Sequence, residues 1–243
     1  MELNLIWLYP DILNLHGERG SVQAFQKIAD NIGIKLNIIR IDDYEQKIDF
    51  ENTDIIFCAP GELKVITDIT NALEKQRKEI EKYIKNNNYI ISVGTTGALL
   101  AKETVCENGN IIKGLGLLNM TAIERKMVLG DDLYFTISKT KQEIIGSQIQ
   151  MLDFNLEEEL PLGTLNYGYG NNGSEYEGAR KNNVIFTNCL GPLFVKNPWW
   201  TEEILKNAYL NKENRIYPRK EYDIENKSFD TTKRFIKEKP KLS

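Results

Sequence analysis

Strand-length apolar runs alternate with helical spacings through the first hundred residues, and this alternation limits the fold more than any other feature of the chain. Residues 3–9 form a short apolar run. Val22, Phe25, Ile28, Ala29 and Ile32 then recur at helical spacing, with Gly33 placed as a helix C′ residue. Isoleucine-rich residues 34–41 and the run 54–58 read as strands. Residues 66–85 read as one helix with a charged outer face, and 89–93 as a further strand, followed at once by Gly94-Thr95-Thr96-Gly97 and a short helix. Such alternation predicts an α/β fold of flavodoxin-like type, a mainly parallel sheet with helices on both faces. Beyond residue 110 the pattern changes. Runs at 111–118, 133–137, 144–151 and 184–187 predict strands that extend the sheet or flank it without a core of their own. We expect one domain over residues 1–210 and a polar tail over 211–243.

Composition excludes several function classes. The 243 residues carry 31 Lys and Arg against 35 Asp and Glu, a net charge of −4, which gives no electrostatic case for nucleic-acid binding. No apolar stretch approaches the roughly 20 residues a membrane span needs, and the first residues lack a signal-type pattern. Cys58, Cys106 and Cys189 are too widely spaced for a metal motif or a disulfide framework, so a reducing, cytoplasmic setting is expected. With His16 the only histidine, neither a metal centre nor a cofactor is expected. The tail holds ten basic and six acidic residues, which reads as a partly ordered terminus or a docking arm for an acidic partner.

In open α/β sheets ligands bind beyond the carboxyl ends of the strands. Here those ends are Tyr9-Pro10-Asp11, Cys58-Ala59-Pro60-Gly61-Glu62 and Val93-Gly94-Thr95-Thr96-Gly97. The last has the layout of a nucleophile elbow, a strand-to-helix turn whose apex side chain stands exposed. Gly94 fills that apex and offers nothing to attack with. Thr95 and Thr96 have hydroxyls but no nearby base; they are expected to serve the helix N-terminus, one as its N-cap.

Four stretches carry a family resemblance: Leu8-Tyr9-Pro10-Asp11-Ile12-Leu13-Asn14-Leu15-His16-Gly17-Glu18-Arg19-Gly20, Gly114-Leu115-Gly116-Leu117-Leu118, Gly168-Tyr169-Gly170-Asn171-Asn172-Gly173 and Gly191-Pro192-Leu193-Phe194-Val195-Lys196-Asn197-Pro198. In this order they resemble the glutaminase subunit of lipid II isoglutaminyl synthase, a cobyric-acid-synthase-like class I glutamine amidotransferase family. The resemblance implies a single flavodoxin-like amidotransferase domain. It also implies a Mur-ligase-like partner subunit, which would use ammonia to amidate the peptidoglycan precursor, in a heterodimer.

The resemblance also implies a catalytic cysteine at the elbow and a histidine before Gly-Pro-Leu. These positions fall on Gly94 and Leu190, so both members of the dyad are absent. Pro60 lacks the backbone N–H that an oxyanion loop would use. We expect a pseudoenzyme that acts as a structural or regulatory partner of the ligase subunit. The competing readings are a glutaminase working through unrecognised residues and a stand-alone protein that binds glutamine or a related small molecule. The residual pocket is expected at Gly61, Thr95, Thr96, Arg125 and Asn171. Asn171, Asn172 and Gly173 are expected to make a turn at positive φ. Cys189, beside Leu190, should face the opposite side and be inert. Trp199 and Trp200 are read as partner contacts, against the alternative of a packed pair at a helix start.

Overall fold

A computed structural model describes residues 2–213 and 221–239. The elements follow in the order β1 (Glu2–Leu8), α1 (Arg19–Ile32), β2 (Lys35–Ile41), β3 (Ile55–Cys58), α2 (Ile66–Glu74), α3 (Arg77–Lys85), β4 (Tyr89–Val93) and α4 (Gly97–Leu100). They continue as β5 (Glu103–Val105), β6 (Ile111–Lys113), β7 (Met120–Ile137), β8 (Glu143–Leu156), β9 (Gly163–Tyr167), β10 (Tyr176–Glu177), β11 (Ala179–Lys181), β12 (Val184–Thr187) and β13 (Cys189–Leu190), and end with α5 (Leu193–Lys196), α6 (Pro198–Glu213) and α7 (Asp223–Glu238).

Two sheets share one core. The first has the order β11-β12-β4-β3-β1-β2 and is parallel apart from β11. β3 and β4 are buried along their whole length, as expected for strands covered by helices on both faces. The second sheet is built on the long β7–β8 hairpin, with β9, β10, β5 and β6 beside β7 and with β13 on β8. Its inner face joins the cluster formed by the first sheet, through Phe135, Leu152 and Phe154. The α/β class is as expected. The later strands form a second sheet on the shared core, and only β11 and β12 extend the first.

Three local readings are corrected. The helix read over 66–85 is two, because Gln76 leaves helical geometry and its side chain accepts a hydrogen bond from Ile48 N at 3.1 Å. The strand read over 111–118 stops at Lys113. The Gly-Leu-Gly-Leu-Leu motif then turns in to cap the short helix α4: Leu115 N, Gly116 N and Leu118 N donate to the carbonyls of Leu99, Ala101 and Leu100 at 2.8, 2.9 and 3.0 Å. These bonds satisfy carbonyls that the end of a four-residue helix leaves open. Within the tail, α7 is an ordered helix lying on β7 and β8, while α6 runs on to Glu213.

The two sheets meet where β13, hydrogen-bonded to β8 through Leu190↔Ser147, brings its end over the carboxyl end of β4.

Candidate functional site

Gly94 follows β4 directly, with φ +64°. That is the left-handed turn an elbow requires, and glycine adopts it without strain. A Cβ placed on Gly94 would lie 3.3 Å from Leu190 Cδ2 and 3.3 Å from Pro60 Cβ. The positions assigned to the missing cysteine and histidine are therefore neighbours. A leucine side chain and a proline ring crowd the point where a Cβ on Gly94 would stand.

The threonines beside Gly94 point into the protein. Thr95 Oγ1 donates to Gly61 O at 2.6 Å and accepts from Gly61 N at 3.1 Å. The backbone N–H that follows Pro60 is thereby engaged within the fold. Thr96 Oγ1 bridges Cys58 O, Val93 O and Ser92 Oγ at 3.1, 2.9 and 2.9 Å and ties β3 to β4. Thr96 stands at the N-cap of α4 as expected, without a side-chain bond to that helix, and its Oγ1 accepts from Val93 N at 3.3 Å where the turn begins. Neither hydroxyl is free for chemistry.

The cysteines offer no substitute. Cys58 is buried and its thiol is pushed up to about 12 by desolvation. Burial, with the carboxylates of Glu177 and Glu18 nearby, raises Cys189 well above its ordinary value. Its Sγ packs against Gly146, on the side of β13 away from Leu190's contact with the elbow. Both thiols are inert by the criterion of thiolate availability. His16 is exposed, at φ +59°, in the loop after β1. Among the described residues no group of three or more His, Cys, Asp or Glu could hold a metal ion.

Two buried carboxylates brace the strand that carries Leu190. Glu18 accepts from Ser21 Oγ at 2.5 Å, from Gly191 N at 2.7 Å and from Leu193 N at 3.1 Å. Glu177 accepts from Thr187 Oγ1 at 2.7 Å and from Asn188 N at 2.6 Å. Burial pushes both carboxyls up, against these hydrogen bonds. Gly20 completes the first brace, because a Cβ there would stand 2.6 Å from Pro192 Cγ. Glu-Arg-Gly and Gly-Pro-Leu are thus two halves of one internal fastening. Sequence reasoning singled out both motifs and missed the bond between them. Glu177 carried no sequence signal.

Of the expected pocket residues, Gly61 and Thr95 meet as described, while Arg125 and Asn171 are each tied to β8. Arg125 makes a two-point ion pair with Asp153 at 2.6 and 2.8 Å and stacks on Tyr169 at 4.7 Å. Its charge is taken up within the second sheet, where Asp153 directly precedes Phe154, whose ring packs against Gly97 of α4. Asn171 is buried, with its amide exchanging bonds with Gly178 at 2.8 and 3.0 Å and its carbonyl accepting from Gln150 Nε2 at 2.9 Å. It fastens the 168–173 loop to β8. Gly168, Gly170 and Gly173 take the positive φ there, and the two asparagines do not.

The tryptophan pair is corrected likewise. Trp200 is 1% exposed and packs on Phe194 at 5.4 Å, so it belongs to the core and is not a surface anchor. Trp199 is half-buried, with an edge-to-face contact to Phe229 of α7 at 5.0 Å.

Comparison with known proteins places this geometry. No protein-family model matches the chain. It is 28% identical over 229 residues to the lipid II isoglutaminyl synthase (glutamine-hydrolyzing) subunit GatD of Staphylococcus aureus strain N315, spanning 92% of this chain and 91% of that protein. The chain is a relative of that glutaminase subunit. The corresponding GatD of Streptococcus pneumoniae is 24% identical over 216 residues, 81% of this chain and 76% of that protein. A probable cobyric acid synthase of Methanococcus vannielii is 29% identical over 210 residues, 80% of this chain and 41% of that protein. In structure, a crystal structure of a glutamine amidotransferase superposes with TM-score 0.55 at 18% identity, covering 84% of this chain and 98% of that one. The PurLQS structure of Thermotoga maritima gives 0.55 at 14%, covering 88% and 99%. The fold is that of the glutamine amidotransferases, and the resemblance read from the four motifs holds. No helix among the described residues is long and apolar enough to cross a membrane.

Proposed function

We propose that this GatD relative is a glutamine-amidotransferase-like subunit in peptidoglycan-precursor amidation that does not hydrolyse glutamine. The observation that carries the reading is the meeting of Gly94, Leu190 and Pro60 at one point, three residues that offer no thiol, no base and no N–H donor between their side chains and the proline nitrogen. Amide hydrolysis of this kind needs a thiolate to attack the carbonyl, a base to pass its proton to the leaving ammonia, and N–H donors for the oxyanion. Gly94 supplies no thiolate and Leu190 no base. Pro60 has no N–H, and that of Gly61 is bonded to Thr95.

The scaffold around the lost centre is kept, with the Glu18 brace and the Gly114–Leu118 cap both intact. A subunit that holds a partner in shape has reason to retain such a scaffold. In this reading the chain forms a heterodimer with a Mur-ligase-like subunit in the cytoplasm, and the ligase draws ammonia from solution. The three unpaired cysteines suit a reducing compartment.

The test is co-purification from the native host followed by an amidation assay of the complex. Ammonium should support amidation and glutamine should not. Glutamine-dependent amidation with matching glutamate release would overturn the proposal, and so would the absence of any ligase among the co-purified proteins.

A further inference from the structure

Helix α7 sits on the body in a way that differs from every other helix. Its apolar anchor is a small cluster of Ile236 and Phe229 with Tyr134, Ile145 and Tyr167, separate from the main core. Trp199 joins this contact through Phe229. At its start Tyr222 is buried and donates to Glu202 of α6, and along the helix the remaining holds include ion pairs from lysines of the arm to carboxylates of the body. Lys233 pairs with Glu143, which also accepts from Tyr134. Lys239 pairs with Asp131 at 2.9 Å and Asp132 at 2.6 Å and lies over the Tyr167 ring at 5.6 Å. The acidic partner expected for the basic tail is, for this stretch, the chain's own β7–β8 hairpin.

Within the 16-residue helix Ile236 is the one buried side chain. Ile224 and Phe235 stay 79% and 58% exposed. The lysine pairs are partly solvent-exposed and therefore weakened by salt. Beneath the arm lies a face of three aromatic rings, Tyr134, Tyr167 and Trp199, rimmed by Asp131, Asp132 and Glu143.

We propose that α7 is a releasable strap, fastened through Lys233 and Lys239, that closes the acidic aromatic face of the β7–β8 hairpin around Trp199. The chemistry of the strap defines what that face accepts: an amphipathic helix presenting lysines beside an aromatic or aliphatic ridge. Trp199 can act as a contact residue only with the strap off. Release requires no change in the elbow, so this inference stands independently of whether glutamine is hydrolysed.

Amide hydrogen exchange on the full chain tests it, with α1 and β4 as internal references. Between low salt and about 1 M salt, α7 should lose protection by roughly tenfold or more while the references hold, as sub-global opening demands. The Lys233→Glu/Lys239→Glu variant should show the same loss already at low salt, and β7 residues facing the arm should gain exchange with it. Lys227→Glu/Arg234→Glu makes the same charge change elsewhere on the helix and should leave the strap closed. Protection of α7 that is unchanged in the first variant, or lost equally in the second, would overturn the proposal.

Discussion

Leu190 stands over Gly94, with its Cδ2 3.3 Å from the point a Cβ on Gly94 would occupy. The two positions lie 96 residues apart in the chain, on β13 and at the end of β4. Their closeness brings the two positions that the resemblance assigns to the dyad to one point, with Pro60 beside them.

Gly94→Cys should therefore fail to restore glutamine hydrolysis. The new side chain enters a space crowded by Pro60 and Leu190, at a positive φ that non-glycine residues adopt at a cost of about 1–3 kcal/mol. Denaturant unfolding should show a loss of that order. Adding Leu190→His should still fall short of full turnover, because Pro60 and the Thr95–Gly61 bonds remain. Ordinary turnover in the double variant would show that the oxyanion loop is intact.

Glu18→Ala should cost about 3 kcal/mol or more, since it strands the N–H groups of Gly191 and Leu193 and the Ser21 hydroxyl in a buried site. An exposed N–H pair would cost far less. Comparing urea midpoints of Glu18→Ala and Glu18→Gln measures the brace, with the glutamine retaining part of it.

Stability should respond to pH with opposite signs at two places. Burial holds the Glu18 and Glu177 carboxyls above their ordinary value, so the folded chain keeps protons that the unfolded chain has released. Stability then falls as pH climbs from about 4.5 through the raised values. Glu177→Gln should flatten that slope, and an unchanged slope would remove Glu177 as its source.

At the strap the sign reverses. Despite desolvation, Lys239 and Tyr167 hold Asp131 below its ordinary value, and Lys233, Tyr134 and Lys237 do the same for Glu143. Docking of α7 should be complete above about pH 4.5 and lost as pH falls through the lowered values. Exchange of α7 amides across pH 3–6, corrected for intrinsic rates, reads this directly.

The parallel sheet was legible because β1, β3 and β4 are buried on both faces and show as unbroken apolar runs, and Gly33 marked the end of α1 as read. The hairpin was half legible. β7 carries Glu124-Arg125-Lys126 at its centre, where a bulge between Glu124 and Leu129 breaks the alternation. The elbow could be located because glycine and threonine at a strand end announce a turn, whereas its crowding depended on Pro60 and Leu190, distant residues whose meeting no local pattern encodes. Trp200 and Asn171 misled for a related reason. Asn171 sits in a specific motif and Trp200 two residues past one, and both serve internal fastening.

The most direct test of the central claim is the release of glutamate from glutamine by the purified chain, alone and with its co-purified partner. No release above background, in a preparation that melts cooperatively, is the predicted result. Sustained turnover would contradict the account, and replacing Cys58, Cys106 and Cys189 by serine would then show whether a thiol carries it.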